Sequence, residues 1–284
     1  MNLNKLVMYY HYTSLGTFLA ILHGIDYNSG ESVLKEIGPI LHLHASRIDT
    51  VNDPTEMTID KSAFLSIVRH YEENKNPKFR ISNRIESMDD EKFLELIKNE
   101  RSDYLPYIVC FSQNEDFLPM WSLYGDKGRG ICLGFSKDIQ YYVKGGYNKD
   151  LSLPMEGDVY YRNYPHAKSA STYLDLFYNI IIKKADEPIE DTIAMTFLCA
   201  SPFLKHKSYE YENEYRISIY KKNELKNLYD NKDECIYYDI PVSFLKTITL
   251  GTKLPFGTTS ELFYDYFSKK GLHIEIKKSQ IPFR

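Results

Sequence analysis

Residues 209–219 read YEYENEYRISI, and near the other end of the chain residues 9–14 read YYHYTS. Alternate side chains of a β-strand share a face, so a strand through the first stretch projects Glu210, Glu212, Glu214 and Arg216 together. Like charges at that spacing repel, and Arg216 offsets only part of the repulsion. Two readings follow. One is a solvated edge strand with Tyr209, Tyr211 and Tyr215 packed on its inner side. The other aims one carboxylate, foremost Glu214, into a cleft to stabilise developing positive charge, with Arg216 orienting it through a charge-assisted hydrogen bond. The second stretch ends an apolar run with His11, Thr13 and Ser14. Ser14 is placed to cap the following helix, LGTFLAILHGI, whose first backbone amides attract anions. Polar groups at these strand ends predict a shared pocket, with His11 and Glu214 on adjacent strands and the NDPTE turn (52–56) and Trp121 at the rim.

Strands are expected at YENEYRISIY (211–220) and further at ILHLHAS, YLPYIVCFS, RGICLGFS, CIYYDIP, LKTITLG and LHIEIKKS. Apolar residues at helical spacing mark residues 58–101 as two helices separated by a charged loop, residues 172–200 with a break near Pro188, and TSELFYDYFSKK; LPMWSLYG makes one or two turns. The fold class is therefore α+β: mixed, mainly antiparallel sheets with helical insertions at about 58–101 and 172–200. Strands at both ends and the lack of a convincing linker predict a single domain over residues 1–284.

The chain carries a formal net charge of −4, so no global basic field points to nucleic acid. Its Cys110, Cys132, Cys199 and Cys235 form no CxxC pair, which favours reduced thiols and a cytoplasmic protein. No apolar run reaches membrane-spanning length, and the N-terminus lacks the layout of a signal peptide, so a soluble protein without a membrane partner is expected.

Several motifs carry weaker signals. His42 and His44 share a strand face at metal-ligand spacing, but no third ligand stands out, and no metal site is assigned. In NDPTE, Asn52, Asp53 and Glu56 organise a turn, with Arg47 upstream in reach of a ligand phosphate. Ser112 lacks a nucleophile-elbow context, and GDKGRG matches neither the Rossmann nor the P-loop spacing.

Taken in order, YHYTS, LHASRIDTVNDPTE, CFS with PMWSLYGDKGRGICLGF, KHKSYEYENEYRI and LKTITLG resemble a widespread bacterial family of uncharacterised domains. That pattern runs along about the whole chain. YHYTSLGTFLAILHGI also resembles the first motif of ADP-ribosyltransferases of the diphtheria-toxin and poly(ADP-ribose) polymerase class. This likeness implies an ADP-ribosyltransferase-like core in which His11 holds the nicotinamide side of NAD and a ribose hydroxyl. Thr13 or Ser14 would support the ligand, with Arg47, Ser112, Trp121, Tyr124 and Arg216 as further binding residues. Glu214 matches the catalytic glutamate, and Glu212 is the second choice. The aromatic that stacks on nicotinamide in that class has four candidates here: Tyr12, Phe111, Trp121 and Tyr124. The implied activity is NAD-dependent transfer or NAD glycohydrolysis, in a toxin or defence effector. The acceptor is left open among protein, nucleic acid and water. The alternatives are a non-catalytic module that senses a nucleotide or small anion, and a nucleic-acid-directed effector.

Overall fold

The computed structural model describes residues 8–25, 39–51, 61–77, 80–136, 139, 155–161, 174, 178, 189–222 and 236–282. The NDPTE turn, Cys235 and the region around Pro188 lie outside them. The elements in chain order are β1 (Met8–Thr13), α1 (Leu15–His23), β2 (Ile40–Arg47), α2 (Lys61–Lys75), α3 (Ser82–Ser87), α4 (Asp90–Asp103), β3 (Tyr104–Ser112), α5 (Leu118–Leu123) and β4 (Ile131–Ser136). They continue with β5 (Met155–Asp158), β6 (Tyr160–Tyr161), α6 (Ile189–Ala200), β7 (Leu204–Lys205), β8 (Glu214–Lys222), β9 (Ile236–Pro241), β10 (Leu245–Leu250), α7 (Phe256–Lys269) and β11 (Glu275–Lys278). The architecture is α+β, with a mixed, mostly antiparallel sheet.

The main sheet runs β11-β10-β4-β1-β3-β2-β9, and β8 pairs with β3 along its length while β5 covers the far edge of β8. β10 and β11 are parallel, as a crossover through a helix requires. Because β8 occupies one whole edge of β3, β1 and β2 must share the other. β1 meets it at Ser112, through Tyr10, whereas β2 meets it at Ile108 and Tyr107. The two strands thus diverge beside Cys110, and the sheet forks there.

Register explains the division of side chains. Tyr107, Val109, Tyr215, Ile217 and Ile219 face an apolar core that also takes Phe18 of α1 and Phe263 and Phe267 of α7. Tyr9 stacks on Tyr215 at 3.9 Å within it. The opposite face of β3 and β8 carries Ile108, Cys110, Ser112, Glu214 and Arg216. A second apolar cluster joins α2, α3, α4 and α6. There the buried Glu72 accepts hydrogen bonds from the amides of Ile81 and Ser82 and from the Tyr178 hydroxyl. Holding that corner lets α3 form inside the region expected to be a charged loop between two helices.

The expected strand over 211–220 is corrected at its start. Lys207–Glu212 form a 3-10 turn, Asn213 takes a left-handed conformation (φ 44°), and the strand begins at Glu214. Glu210 is therefore exposed and shares no strand face with the other two glutamates. The solvated-edge reading also falls, because β8 is paired on both sides. β5, β6 and β7 were not foreseen; they are short and lack an alternating apolar pattern.

GDKGRG is a packing device. A Cβ on Gly130 would lie 2.3 Å from the Thr13 carbonyl oxygen, and one on Gly125 would lie 2.4 Å from the Trp121 ring. The Gly130 amide donates to the Gly125 carbonyl, and the Gly130 carbonyl accepts from Gly251, so the loop cannot retreat without breaking these bonds. Gly130→Ala is expected to cost at least about 1–3 kcal/mol, as overpacking against backbone does. Urea unfolding with an unchanged midpoint would refute this account of the loop.

Candidate functional site

The fork opens a cleft of about 280 Å³ bordered by β1, β2, β3, β8 and α5. Its lining includes His11, Cys110, Ser112, Tyr124, Glu214 and Arg216, which come from three regions far apart in sequence. The volume lies just below the usual range of small-molecule sites, about 300–1,000 Å³. His11 and Glu214 border the same cleft, but the expectation of adjacent strands is corrected: β3 lies between β1 and β8. Tyr10, level with Ser112, shares the face of Glu214, whereas His11 starts from the other face of β1. It borders the cleft because the strands part at that level.

His11 Nδ1 donates to the Cys110 carbonyl at 2.9 Å, taking an acceptor beside which the two strands separate. A carbonyl only accepts, so Nδ1 carries the proton, and in the neutral ring Nε2 holds the lone pair. Burial pushes the His11 pKa below the ordinary histidine value, against the opposing pull of the Cys110 carbonyl, and this favours that neutral form.

Opposite lies a buried cluster of four charged groups. Lys205 Nζ donates to Glu212 Oε2 at 2.6 Å and to Glu214 Oε1 at 3.1 Å. Arg216 donates from Nε (2.7 Å) and Nη2 (2.6 Å) to Glu214 Oε2, and from Nη1 to the Pro202 carbonyl at 2.7 Å. All four residues are at most 4% exposed. Two carboxylates against two cations balance formally, which is what allows such a group to be buried. The surroundings complete it. Tyr124 Oη donates to Glu212 Oε1 at 3.0 Å, Tyr161 Oη accepts from the Glu214 amide at 2.8 Å, and Ser112 Oγ donates to the Glu212 carbonyl at 2.7 Å.

The two carboxyls are driven apart. Burial and then the Glu214 charge raise the Glu212 pKa, with Lys205 opposing. Burial would raise Glu214 as well, but Arg216 and Lys205 outweigh it and hold its pKa below the ordinary carboxylate range. Glu214 is thus the anion at the cleft, and Glu212 stands behind Tyr124 as the group that keeps a proton longer.

The other sequence-derived candidates divide. Tyr12, Phe111 and Tyr124 line the cleft with His11, Ser112, Glu214 and Arg216. Trp121 does not: it is fully buried, edge-on to Tyr12 at 5.1 Å, and its Nε1 donates to Asp116 at 2.8 Å. It supports the wall instead of forming the rim. Ser14 caps α1, accepting from the Thr17 amide at 3.0 Å, and neither it nor the buried Thr13 borders the cleft. Arg47 is not in the lining either; its carbonyl accepts from Thr50. Lys205, Tyr161 and Cys110 were missed as candidates, and His44, weighed only for a metal, borders the cleft. Lys205 has no local signature, since it lies on a two-residue strand nine positions before the glutamate it holds. Among the described residues, no group of three or more His, Cys, Asp or Glu could hold a metal ion, and Cys110, Cys132 and Cys199 are in no disulfide. No helix among them is long and apolar enough to cross a membrane.

A family model described as "Protein of unknown function (DUF2971)" matches residues 120–217, about a third of the chain. Over that span, from α5 into β8, the chain is similar to an uncharacterised domain family. The match takes in the WSLYGDKGRG and ENEYR stretches and leaves YHYTS and NDPTE outside. Searches of curated proteins and of solved structures each returned no match.

The opposed shifts make a pH test. Glu212 keeps its proton to higher pH folded than unfolded, so its contribution is complete below the unfolded carboxylate pKa and is lost as pH rises through the raised folded value. Glu214 behaves oppositely, contributing above the ordinary value and losing that contribution as pH falls through the depressed one. Between about pH 5 and about pH 8, the urea midpoint of wild type is expected to fall relative to that of Glu212→Gln. Parallel curves would show that Glu212 does not take up its proton early.

Proposed function

We propose that the cleft binds a nucleotide and acts on NAD, breaking the bond between nicotinamide and ribose as a transferase or glycohydrolase. The observation that carries the reading is the convergence of His11 and Glu214, about two hundred residues apart in sequence, on one cleft. Its chemistry suits a cationic leaving group. The nicotinamide ring of NAD is positively charged, and a neutral His11 imidazole does not repel it as an imidazolium would. His11 Nε2 accepts from a ribose hydroxyl or from the carboxamide. Tyr124, Phe111 or Tyr12 supplies an aromatic wall. As the glycosidic bond breaks, its electron pair leaves with nicotinamide, which becomes neutral, and positive charge spreads over the ribose C1′ and ring oxygen. Glu214, held in place by Lys205 and Arg216, faces that charge. Water or another nucleophile then adds to C1′ and gives up its proton.

One observation favours the second reading, a sensor without turnover. Both Glu214 oxygens already accept from Lys205 or Arg216, so much of the carboxylate's bonding capacity serves the fold. A nucleotide bound there without reaction would use His11 and the aromatic wall alone.

Nicotinamide release from NAD, alongside calorimetric binding, separates the two. In the enzyme reading, Glu214→Gln keeps binding within a few-fold and lowers turnover by about 10²–10³, the typical loss of one electrostatic stabiliser. His11→Ala is expected to weaken binding, and thermal melting of each variant checks that the fold survives. Wild-type protein that binds NAD but releases no nicotinamide favours the sensor; protein that does neither overturns the NAD reading.

A further inference from the structure

A second cavity, of about 670 Å³, adjoins the first. It lies between one side of α1, through Thr17, Ala20 and Gly24, and the exposed ladder of β2 and β9. In that ladder His42 stands opposite Asp239 and His44 opposite Tyr237, so all four side chains share a face. The same row of β2 leads from one cavity into the other. His42 borders the groove, His44 borders both cavities, and Ser46 borders the cleft. At about 3.3 Å per residue, the backbone distance from His42 to Ser46 is roughly 13 Å.

The chemistry of the groove differs from that of the cleft. Among the described lining residues it holds no Lys, Arg, Asp or Glu. It presents one half-exposed aromatic side chain, Tyr237, with His42 and His44 edge-on to it at 6.4 Å and 6.1 Å. His42 is fixed in orientation by Nδ1 donating to Asp239 Oδ1 at 2.6 Å, which places Nε2 on the far edge of the ring. With no Lys or Arg among its described lining residues, the groove sets no permanent cation there against a phosphate. An aromatic face flanked by imidazoles and the Thr17 hydroxyl instead matches a flat, uncharged heterocycle with donors and acceptors on its edge.

We infer that the groove between α1 and the β2–β9 ladder is a nucleobase site, continuous with the cleft through His44. The base stacks on Tyr237, and His42 with Thr17 bonds its edge. This extends the nucleotide reading of the cleft and depends on it only for what the other end of the ligand is. Two sources supply the same chemistry: the distal base of a dinucleotide whose other end reaches His11, or the base of a separate substrate.

The test titrates the full chain with phosphate-free adenosine, guanosine, cytidine and uridine by calorimetry. At least one is expected to bind, and Tyr237→Ala to weaken it by about tenfold or more, the usual scale for losing one base–aromatic stack. Tyr237→Phe should retain binding and His11→Ala should leave it unchanged. Both Tyr237 variants alter a half-exposed side chain, so folding is not at risk. Competition by NAD identifies the groove with the distal base of that dinucleotide, whereas undiminished nucleoside binding in saturating NAD assigns it to a separate substrate. No binding by any nucleoside, or binding that survives Tyr237→Ala and disappears in His11→Ala, overturns the proposal. Nicotinamide release is measured apart from this titration, so failure of the NAD reading and failure of the groove are distinguishable.

Discussion

Everything around the cleft depends on burying two carboxylates and two cations together. Each ion taken from water costs several kcal/mol, and the cost is met only where geometry and hydrogen bonds are both complete. Lys205 is the centre of that arrangement because it bonds both glutamates. Through it the short strand β7 and the 3-10 turn before β8 are held against the start of β8. Arg216 carries the same restraint to Pro202, and Tyr220 Oη donates to the Leu198 carbonyl at 2.8 Å, so the end of α6 is drawn onto the sheet. Removing either cation would leave carboxylates facing each other in a dry interior.

The second constraint is topological. A strand has two edges, and β3 gives one of them entirely to β8. β1 and β2 therefore compete for the other, and neither covers Cys110. Forking leaves backbone groups to satisfy, and His11 takes up the Cys110 carbonyl. A site residue and a structural plug are here the same side chain. That double use accounts for a histidine at a strand position where apolar residues surround it, since its Nδ1 serves the fold and its Nε2 is left for chemistry.

The asymmetry between Glu212 and Glu214 follows from position more than from sequence. Both are glutamates two residues apart, yet Glu214 meets two cations and Glu212 meets one, with a tyrosine hydroxyl on its other side. An intervening left-handed residue, Asn213, turns the chain between them, so they approach Lys205 from different directions. A regular strand would have aligned them and left their repulsion unrelieved.

How much of this was legible follows from the range of each interaction. Alternation and helical spacing are local, and they announced β1, β2, β3, β4, β9, β10, β11 and most helices, along with the Ser14 cap. Glu214 and His11 were legible as odd polar residues within apolar strands. The extent of the strand at 211–220 was not, because the 3-10 turn is stabilised by Ser112 and Lys205, which lie outside that window. Trp121 read as a binding aromatic for want of knowing that Asp116 would bind its indole from beneath the wall. Thr13, Ser14 and Arg47 read as ligand groups because they neighbour the right strands, but side-chain direction depends on where the sheet bends. Sequence by itself determined which segments are strands and helices and which polar residues have no place in an apolar row. Only the tertiary structure decided which of those residues meet, since the fork beside β3 and the capture of two glutamates by Lys205 join groups with no periodic relation along the chain.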